Sequence, residues 1–320
     1  MSSYISRRLA GMGVNLVLVS LFVFLLLRVV PGDAATAILG ENAQTDQIAK
    51  FRHEKGLDGS WWSQYVHWST GVLHGDFGQS LRSTSPVTKD FRSRFPITLE
   101  IVLMSFTITT IIGISSGMVA ARYQNSFADM AIRLGATLAI SVPGFVLLTL
   151  LLVIPARLFR YAPPFGATDI FASPLENLRL FLPPTAILAI GGSAVLMRFT
   201  RSGFLEVMRQ DYIRTALAKG LNDKDVAMRH ALRNALPPIL TLAGLQLGGL
   251  LGGSVILESV MSLPGLGTWF LNAIQFKDYP VVMIVALYSA FVLMSISLVV
   301  DLAYSIIDPR IRLSQLAGGR

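Results

Sequence analysis

The residues of this chain that could carry covalent or metal chemistry are few and poorly arranged for it. No cysteine occurs among the 320 residues, so disulfides, thiolate metal sites and a cysteine nucleophile are excluded together. The histidines are His53, His67, His74 and His230, and they show no metal-ligand spacing. His53, His67 and His74 do share one polar segment, which leaves a metal site there open. Gly113-Ile114-Ser115-Ser116-Gly117 matches the string of a nucleophile elbow. It lies inside an apolar run rather than on a strand-to-helix turn, and its glycines read as a helix-packing motif instead. No Gly-Lys-Ser/Thr phosphate loop is present, so hydrolysis of ATP by this chain itself is not expected.

What the sequence does concentrate is positive charge. Arg198, Arg201, Arg209, Arg214, Lys219, Lys224, Arg229 and Arg233 crowd one stretch. Within it, Asp211 to Pro238 reads as two short helices around a glycine. The first is rich in helix formers and ends at Gly220, which can take the left-handed cap conformation. Asn222 is a good N-cap for the second. Asp223 and Asp225 favour its positive N-terminal end, and Arg229 and Arg233 its negative C-terminal end. Leu221 and Val226 stand where a hydrophobic staple would lock the turn. Pro237 and Pro238 then end the helix or start the next segment. A basic loop that merely fixes membrane topology would not need such caps. A rigid, charged helix pair on the surface suits mechanical coupling to a partner.

The elements that must hold this pair are apolar. Hydrophobic residues make up 52% of the chain and charged residues 14%, and the net charge is +8; the mean hydropathy is +0.58. Soluble domains usually carry about a quarter charged residues. Bilayer-crossing helices need about 20 mostly apolar residues, and six stretches qualify: Leu9 to Val30, Ile97 to about Ala121, Leu134 to Ala156, Leu182 to Phe199, about Leu236 to Leu257, and Pro280 to Ile307. The charges inside them, Arg28, Glu100, Arg198 and Asp301, lie near an end. The expected fold is therefore an all-α integral membrane protein of about six transmembrane helices.

Lys and Arg in short loops set orientation. Arg7 and Arg8, Arg122 and Arg133, the basic stretch described above, and Arg310 with Arg312 all fall on one side of six spans. That side is expected to be the cytoplasm, with both termini there. The opposite short loops hold only Arg157, Arg160, Arg179 and Lys277. The first span could be a signal peptide, but it exceeds the usual 7–15 residue apolar core and reads as a retained helix.

The chain thus divides into residues 1–30 with the first span, an outer segment 31–96, and a core 97–320 with a cytoplasmic loop 200–236. The outer segment carries Trp61, Trp62, Tyr65 and Trp68 at helical spacing. This predicts a small amphipathic helix at the membrane boundary, or else a docking surface or a lid. Span five carries Gly244, Gly248 and Gly252 on one stripe, with Gly249 and Gly253 beside it, suited to close helix packing within the chain or against a second subunit. Pro143 and Gly144 could kink span three. Glu258, at the outer end of span five, suggests a basic partner.

The basic loop resembles the EAA loop of binding-protein-dependent ABC permeases. Its glycine corresponds to Gly220, the triplet to Arg214-Thr215-Ala216, and the downstream positions to His230, Leu232, Asn234 and Pro237. Arg214 replaces the triplet's glutamate, so a glutamate-dependent contact is not carried over. Tyr212-Ile213-Arg214-Thr215-Ala216 is similar to the loop of the dipeptide, oligopeptide and nickel branch. Pro31-Gly32-Asp33, Gly75-Asp76-Phe77-Gly78, Pro264-Gly265-Leu266-Gly267, Asp278-Tyr279-Pro280 and Asp308-Pro309-Arg310-Ile311-Arg312 resemble that branch's signatures in order.

The resemblance implies a type I ABC importer permease of the bacterial or archaeal plasma (inner) membrane. Its partners would be a second homologous permease, two cytoplasmic ATPase subunits that bind the ATP and Mg, an extracytoplasmic binding protein, and membrane lipid, with no nucleic acid and no cofactor in this chain. Coupling would fall to Arg214, Thr215, Ala216, Ala218, Lys219, Gly220, Leu221, His230, Arg233 and Asn234. The implied substrate is peptide-like; nickel, glutathione and oligosaccharide belong to the same branch. A secondary transporter would instead need buried ionisable groups at mid-membrane and an internal repeat, and neither is clear. A membrane-embedded enzyme lacks clustered acid, base or metal residues in the spans.

Overall fold

The computed structural model describes residues 2–40, 42–160, 170–222 and 225–307. Twelve α-helices and one π-helical turn are present among them: α1 Ser2–Val29, α2 Ala34–Leu39, α3 Thr45–Glu54, α4 Trp61–Leu73, α5 Val87–Arg122, α6 Phe127–Ser141, α7 Gly144–Phe159, α8 Pro174–Met208, α9 Asp211–Ala218, the π turn Val226–Ala231, α10 Leu232–Val260, α11 Leu266–Gln275 and α12 Tyr279–Ile307. The described residues form no named strand; a single bridge joins Gln79 and Pro86. Five helices (α1, α5, α8, α10 and α12) are long and apolar enough to cross a membrane. The terminal Asp308–Arg312 signature, Asp223 and Lys224 lie outside the described residues.

Span three is not one straight helix. Val142 precedes a proline, whose ring disfavours helical backbone at the residue before it. Val142 is accordingly extended, Pro143 caps α7, and α6 meets α7 at 88°. The two form either a broken span or a re-entrant pair by length and composition. Span two also differs from expectation: α5 begins at Val87, before the apolar run, and carries Pro96 inside it. Its first two turns hold Lys89, Asp90, Arg92 and Arg94, too polar to read as membrane. Helix α11 was not evident at all; at 10 residues it is too short to span.

The chain separates into two compact units, residues 1–99 with 261–294, and residues 100–260 with 295–320. In the first, Val87, Leu266, Trp269, Val281 and Val285 form the main apolar cluster, with Phe91 stacked on Phe95 and Tyr288 edge-on to both at its margin. Most of α1 presents apolar side chains outward, among them Val14, Val17 and Phe22, as a lipid-facing helix does. Helix α4 is capped by Ser60, whose Oγ accepts from the Ser63 N–H at 3.2 Å. It buries Tyr65 against Phe24 and leaves Trp61 and Trp62 exposed. Tyr65 Oη lies 2.9 Å from Ser20 Oγ.

In the second unit α8 is the hub, packing against α6, α7 and α10. Small residues allow α5 to approach it: a Cβ at Gly113 would stand 2.8 Å from Leu196, and one at Gly117 would stand 2.6 Å from Thr200. Ser105 and Thr109 donate across the same seam to the carbonyls of Thr185 and Ala189, at 3.2 and 3.4 Å. The nucleophile-elbow string is thus a packing seam on a helix.

Candidate coupling surface

Helix α9 ends in a complete Schellman motif. Gly220 has φ +83°, a backbone conformation that costs a side-chain-bearing residue about 1–2 kcal/mol. This turn lets the Gly220 N–H reach the Leu217 carbonyl at 2.9 Å and the Leu221 N–H the Ala216 carbonyl at 3.3 Å. The Asn222 carbonyl then accepts from the Val226 N–H at 3.0 Å, opening the second helical element.

That second element is a π-helical turn rather than a regular helix, and it runs directly into α10. The Leu232 N–H reaches back five residues to the Ala227 carbonyl. Pro237 and Pro238 neither end the helix nor begin the next; both sit inside α10. Without N–H groups they cannot complete i→i−4 bonds. The wider π turn lies a little more than one helical turn upstream of them.

The pair is fastened through one face. Ile213 and Val226 are fully buried, in a cluster with Ala121 of α5, Phe204 of α8 and Ala231, with Ala216 and Leu232 at its margin. Across the turn, Asn234 Nδ2 donates to Tyr212 Oη at 3.0 Å. The opposite face is open. Arg214, Thr215, Ala218, Lys219, Gly220 and Leu221 are exposed, as are Tyr212, Leu217, Arg233 and Asn234. Arg214 stands 3.9 Å from Asp211, and both side chains are more than three-quarters exposed, so that pair contributes little. Thr215 Oγ1 donates to the Asp211 carbonyl at 3.0 Å. The backbone of His230 lies in the π turn; its side chain is outside the described residues.

Of the glycines on α10, Gly244 packs tightly: a Cβ there would collide with Val300. Gly248 is half-buried, and Gly252 faces open space, with no neighbouring atom within 4 Å of its Cβ position. Gly253, beside the stripe, abuts Leu188 at 2.7 Å instead. Glu258 is completely buried.

One ionic anchor had no sequence signal. Asp129, near the start of α6, is completely buried. Arg201 of α8 grips it with Nε and Nη2, both at 2.8 Å, and Arg133 approaches to 3.2 Å. The Asn125 N–H donates to the same carboxylate at 3.1 Å. Bidentate geometry of this kind is the strong form of the arginine–carboxylate pair. Arg201 had registered only as one of many loop charges, and its partner lies 72 residues away.

In the polar segment, His53 Nδ1 bonds Asp58 Oδ2 at 2.8 Å, and His74 Nδ1 donates to the Thr70 carbonyl at 2.8 Å. The Asp58 hydrogen bond and charge raise the pKa of His53, and that of Asp58 is lowered in return. Among the described residues no group of three His, Asp or Glu side chains could hold a metal ion.

Residues 113–313 match the family described as binding-protein-dependent transport system inner membrane component, and residues 1–102 match the N-terminal family of the same membrane components. A putative peptide transport system permease protein of Brucella suis biovar 1 is 38% identical over 311 residues, covering 97% of this chain and 99% of that one. The glutathione transport system permease protein GsiC of Salmonella typhimurium is 38% identical over 315 residues, covering 98% and 99%. The structure titled for inward-facing conformations of the MetNI methionine ABC transporter shares the fold. Its TM-score is 0.50 at 16% identity, over 66% of this chain and 93% of that one.

Proposed function

The chain belongs to the family of binding-protein-dependent transport system inner membrane components, and from that premise we propose a specific role: it moves a peptide-like substrate, and α9 with its π turn takes up the stroke of a cytoplasmic ATPase. As a member of that family it is a membrane permease of an ABC importer, and ATP hydrolysis belongs to a separate subunit. The peptide reading is supported by relatives named for peptide and for glutathione transport at equal identity. A second permease, two ATPases and an outer binding protein complete the proposed assembly, with both termini of this chain in the cytoplasm.

The observation that carries the coupling role is the two-sidedness of α9. Its buried face joins Ile213 to the ends of α5 and α8, and an exposed Tyr212–Asn234 hydrogen bond ties it to α10. Its other face offers Leu217, Leu221, Arg214 and Lys219 to solvent. A push on the open face passes to the membrane helices through the buried Ile213 contacts and the continuous π–α10 backbone, with the Schellman turn fixing the end of α9. Leu217 and Leu221 supply apolar contact, and Arg214 and Lys219 can meet carboxylates on a partner.

Affinity purification of the tagged chain from mildly solubilised membranes tests this. The wild type is expected to bring down an ATPase. Gly220→Pro fixes φ near −65° and removes the N–H that Leu217 accepts, so it is expected to lose the ATPase while its membrane level is unchanged. Purification of the wild type without any ATPase, or an unaffected Gly220→Pro variant, would overturn the coupling role.

A further inference from the structure

A cavity of about 700 Å³ opens within the first unit, lined by residues of α1, the 53–59 turn, α4, the 76–81 turn and the start of α12. Its size is that of a small-molecule site. Arg28 of α1 lies on its wall, only half-exposed. The guanidinium sits 5.1 Å from the ring centroid of Phe24 and 4.7 Å from that of Tyr279. Its hydrogen-bond partner is Gln64 Oε1, and Gln64 is itself held by the carbonyls of Leu57 and Gly59, at 3.1 and 2.8 Å.

Among the described residues, no carboxylate lies within ion-pair distance of Arg28. The carboxylates that share the cavity are engaged elsewhere. Asp58 bonds His53 at 2.8 Å, Glu54 lies 3.9 Å from Lys50, and Asp76 accepts from the Gly78 N–H at 2.9 Å. Trp68 lines the same space with its ring, while its indole nitrogen is buried and has no hydrogen-bond acceptor among the described residues. Buried donors are ordinarily satisfied, and a buried cation ordinarily faces an anion. Here a half-buried guanidinium with no carboxylate in ion-pair distance borders a cavity whose walls otherwise offer aromatic and thioether surface from Phe24, Trp68, Tyr279 and Met283.

We propose that this cavity binds a small organic carboxylate with an apolar or aromatic body. Arg28 holds the carboxylate, and Phe24, Trp68, Tyr279 and Met283 pack against the body. The site is independent of α9, so it can stand or fall without the coupling role.

The test is fluorine NMR of the full-length chain labelled with fluorotryptophan, in nanodiscs of zwitterionic lipid. Only four tryptophans contribute resonances, and Trp68→Phe assigns the one that matters. Hippurate is expected to move the Trp68 resonance saturably, and hippuramide, its neutral amide, is not. Arg28→Gln is expected to weaken hippurate binding at least about tenfold. Glycylphenylalanine distinguishes two sources of carboxylate: tighter binding than hippurate points to a peptide terminus, weaker binding to a simple acid. The proposal is overturned if hippurate leaves the Trp68 resonance in place, or if hippuramide moves it equally. It is also overturned if only anionic lipid added to the disc moves that resonance. These comparisons hold in the wild-type protein, so a failure of Arg28→Gln to fold would not shield the idea.

Discussion

Two regions outside the long helices are built by opposite means. The α9–π element is ordered by neighbours in sequence. Its turn bonds join residues three to five apart, and its glycine, caps and apolar positions all lie within 24 residues of one another. From farther away it meets the end of α5, at Met118 and Ala121, and the end of α8, at Phe204, Leu205, Val207 and Met208. The polar segment between α1 and α5 is ordered by distant residues. Asp278 accepts from the Ser80 hydroxyl and, at 2.9 Å, from the Leu81 N–H, 198 and 197 residues away in sequence. Lys277 donates to the Pro31 carbonyl across 246 residues. Arg82 rests 3.8 Å from the Phe276 ring centroid. A locally ordered element keeps its shape while it is pushed; a segment tied by long-range bonds moves when its distant anchor moves. The first suits force transmission, and the second suits a surface that responds to the α11–α12 turn.

The sharpest break of this contrast would come from Asp129→Ala. It leaves Arg201 largely buried without its carboxylate, and removing one partner of a buried pair costs about 3–5 kcal/mol. A large fall in the thermal midpoint of the purified protein is expected, with α6 and α8 losing their fastening. An unchanged midpoint would mean that α6 is held by apolar packing alone.

Asp278→Ala should separate the two regions. It removes two hydrogen bonds to a buried carboxylate, for a loss of about 2–3 kcal/mol. Limited proteolysis is expected to cut the 78–86 turn faster, while ATPase co-purification stays at the wild-type level. Loss of the ATPase would show that the two regions are not independent. Gly220→Ala is a milder probe of the local element. It forces a Cβ into the left-handed region at a cost of about 1–2 kcal/mol, in open space where no clash adds to it. Weakened but not abolished ATPase retention is expected, less severe than with Gly220→Pro.

The smallest effect is a pH dependence confined to the polar segment. Because Asp58 raises the pKa of His53, the pair's contribution is full below the unfolded His value of about 6.5 and is lost as pH rises through the folded value. For Asp58, whose pKa is lowered, the contribution is present above about 3.9 and is lost as pH falls through its folded value. Amide exchange across residues 53–58, corrected for intrinsic rates, should therefore quicken at alkaline pH and not across the α9 turn. Asp58→Asn should remove that dependence. Equal change in both regions would sink the assignment.

The sequence by itself determined the class of this protein, the run of its apolar helices, the left-handed turn at Gly220 and the aromatic helix at Trp61–Leu73. Each of these depends on residues within one or two helical turns, where periodicity, caps and hydropathy act directly. The 88° break at Val142–Pro143 was half legible: a proline forbids a regular helix before it, but the angle depends on what α7 packs against. The π turn was not legible, since Pro237 and Pro238 signal a helix boundary when read locally. Nor was the burial of Asp129 with Arg201, the Ser20–Tyr65 contact, the placing of Arg28 with Gln64 beside a cavity, or the separation of Gly244 from Gly252. Each of these joins or parts residues 8 to 72 positions away from one another or depends on the faces that packed helices turn inward. Only the tertiary structure decided them, because a charge or a glycine carries no local mark of the partner that will meet it.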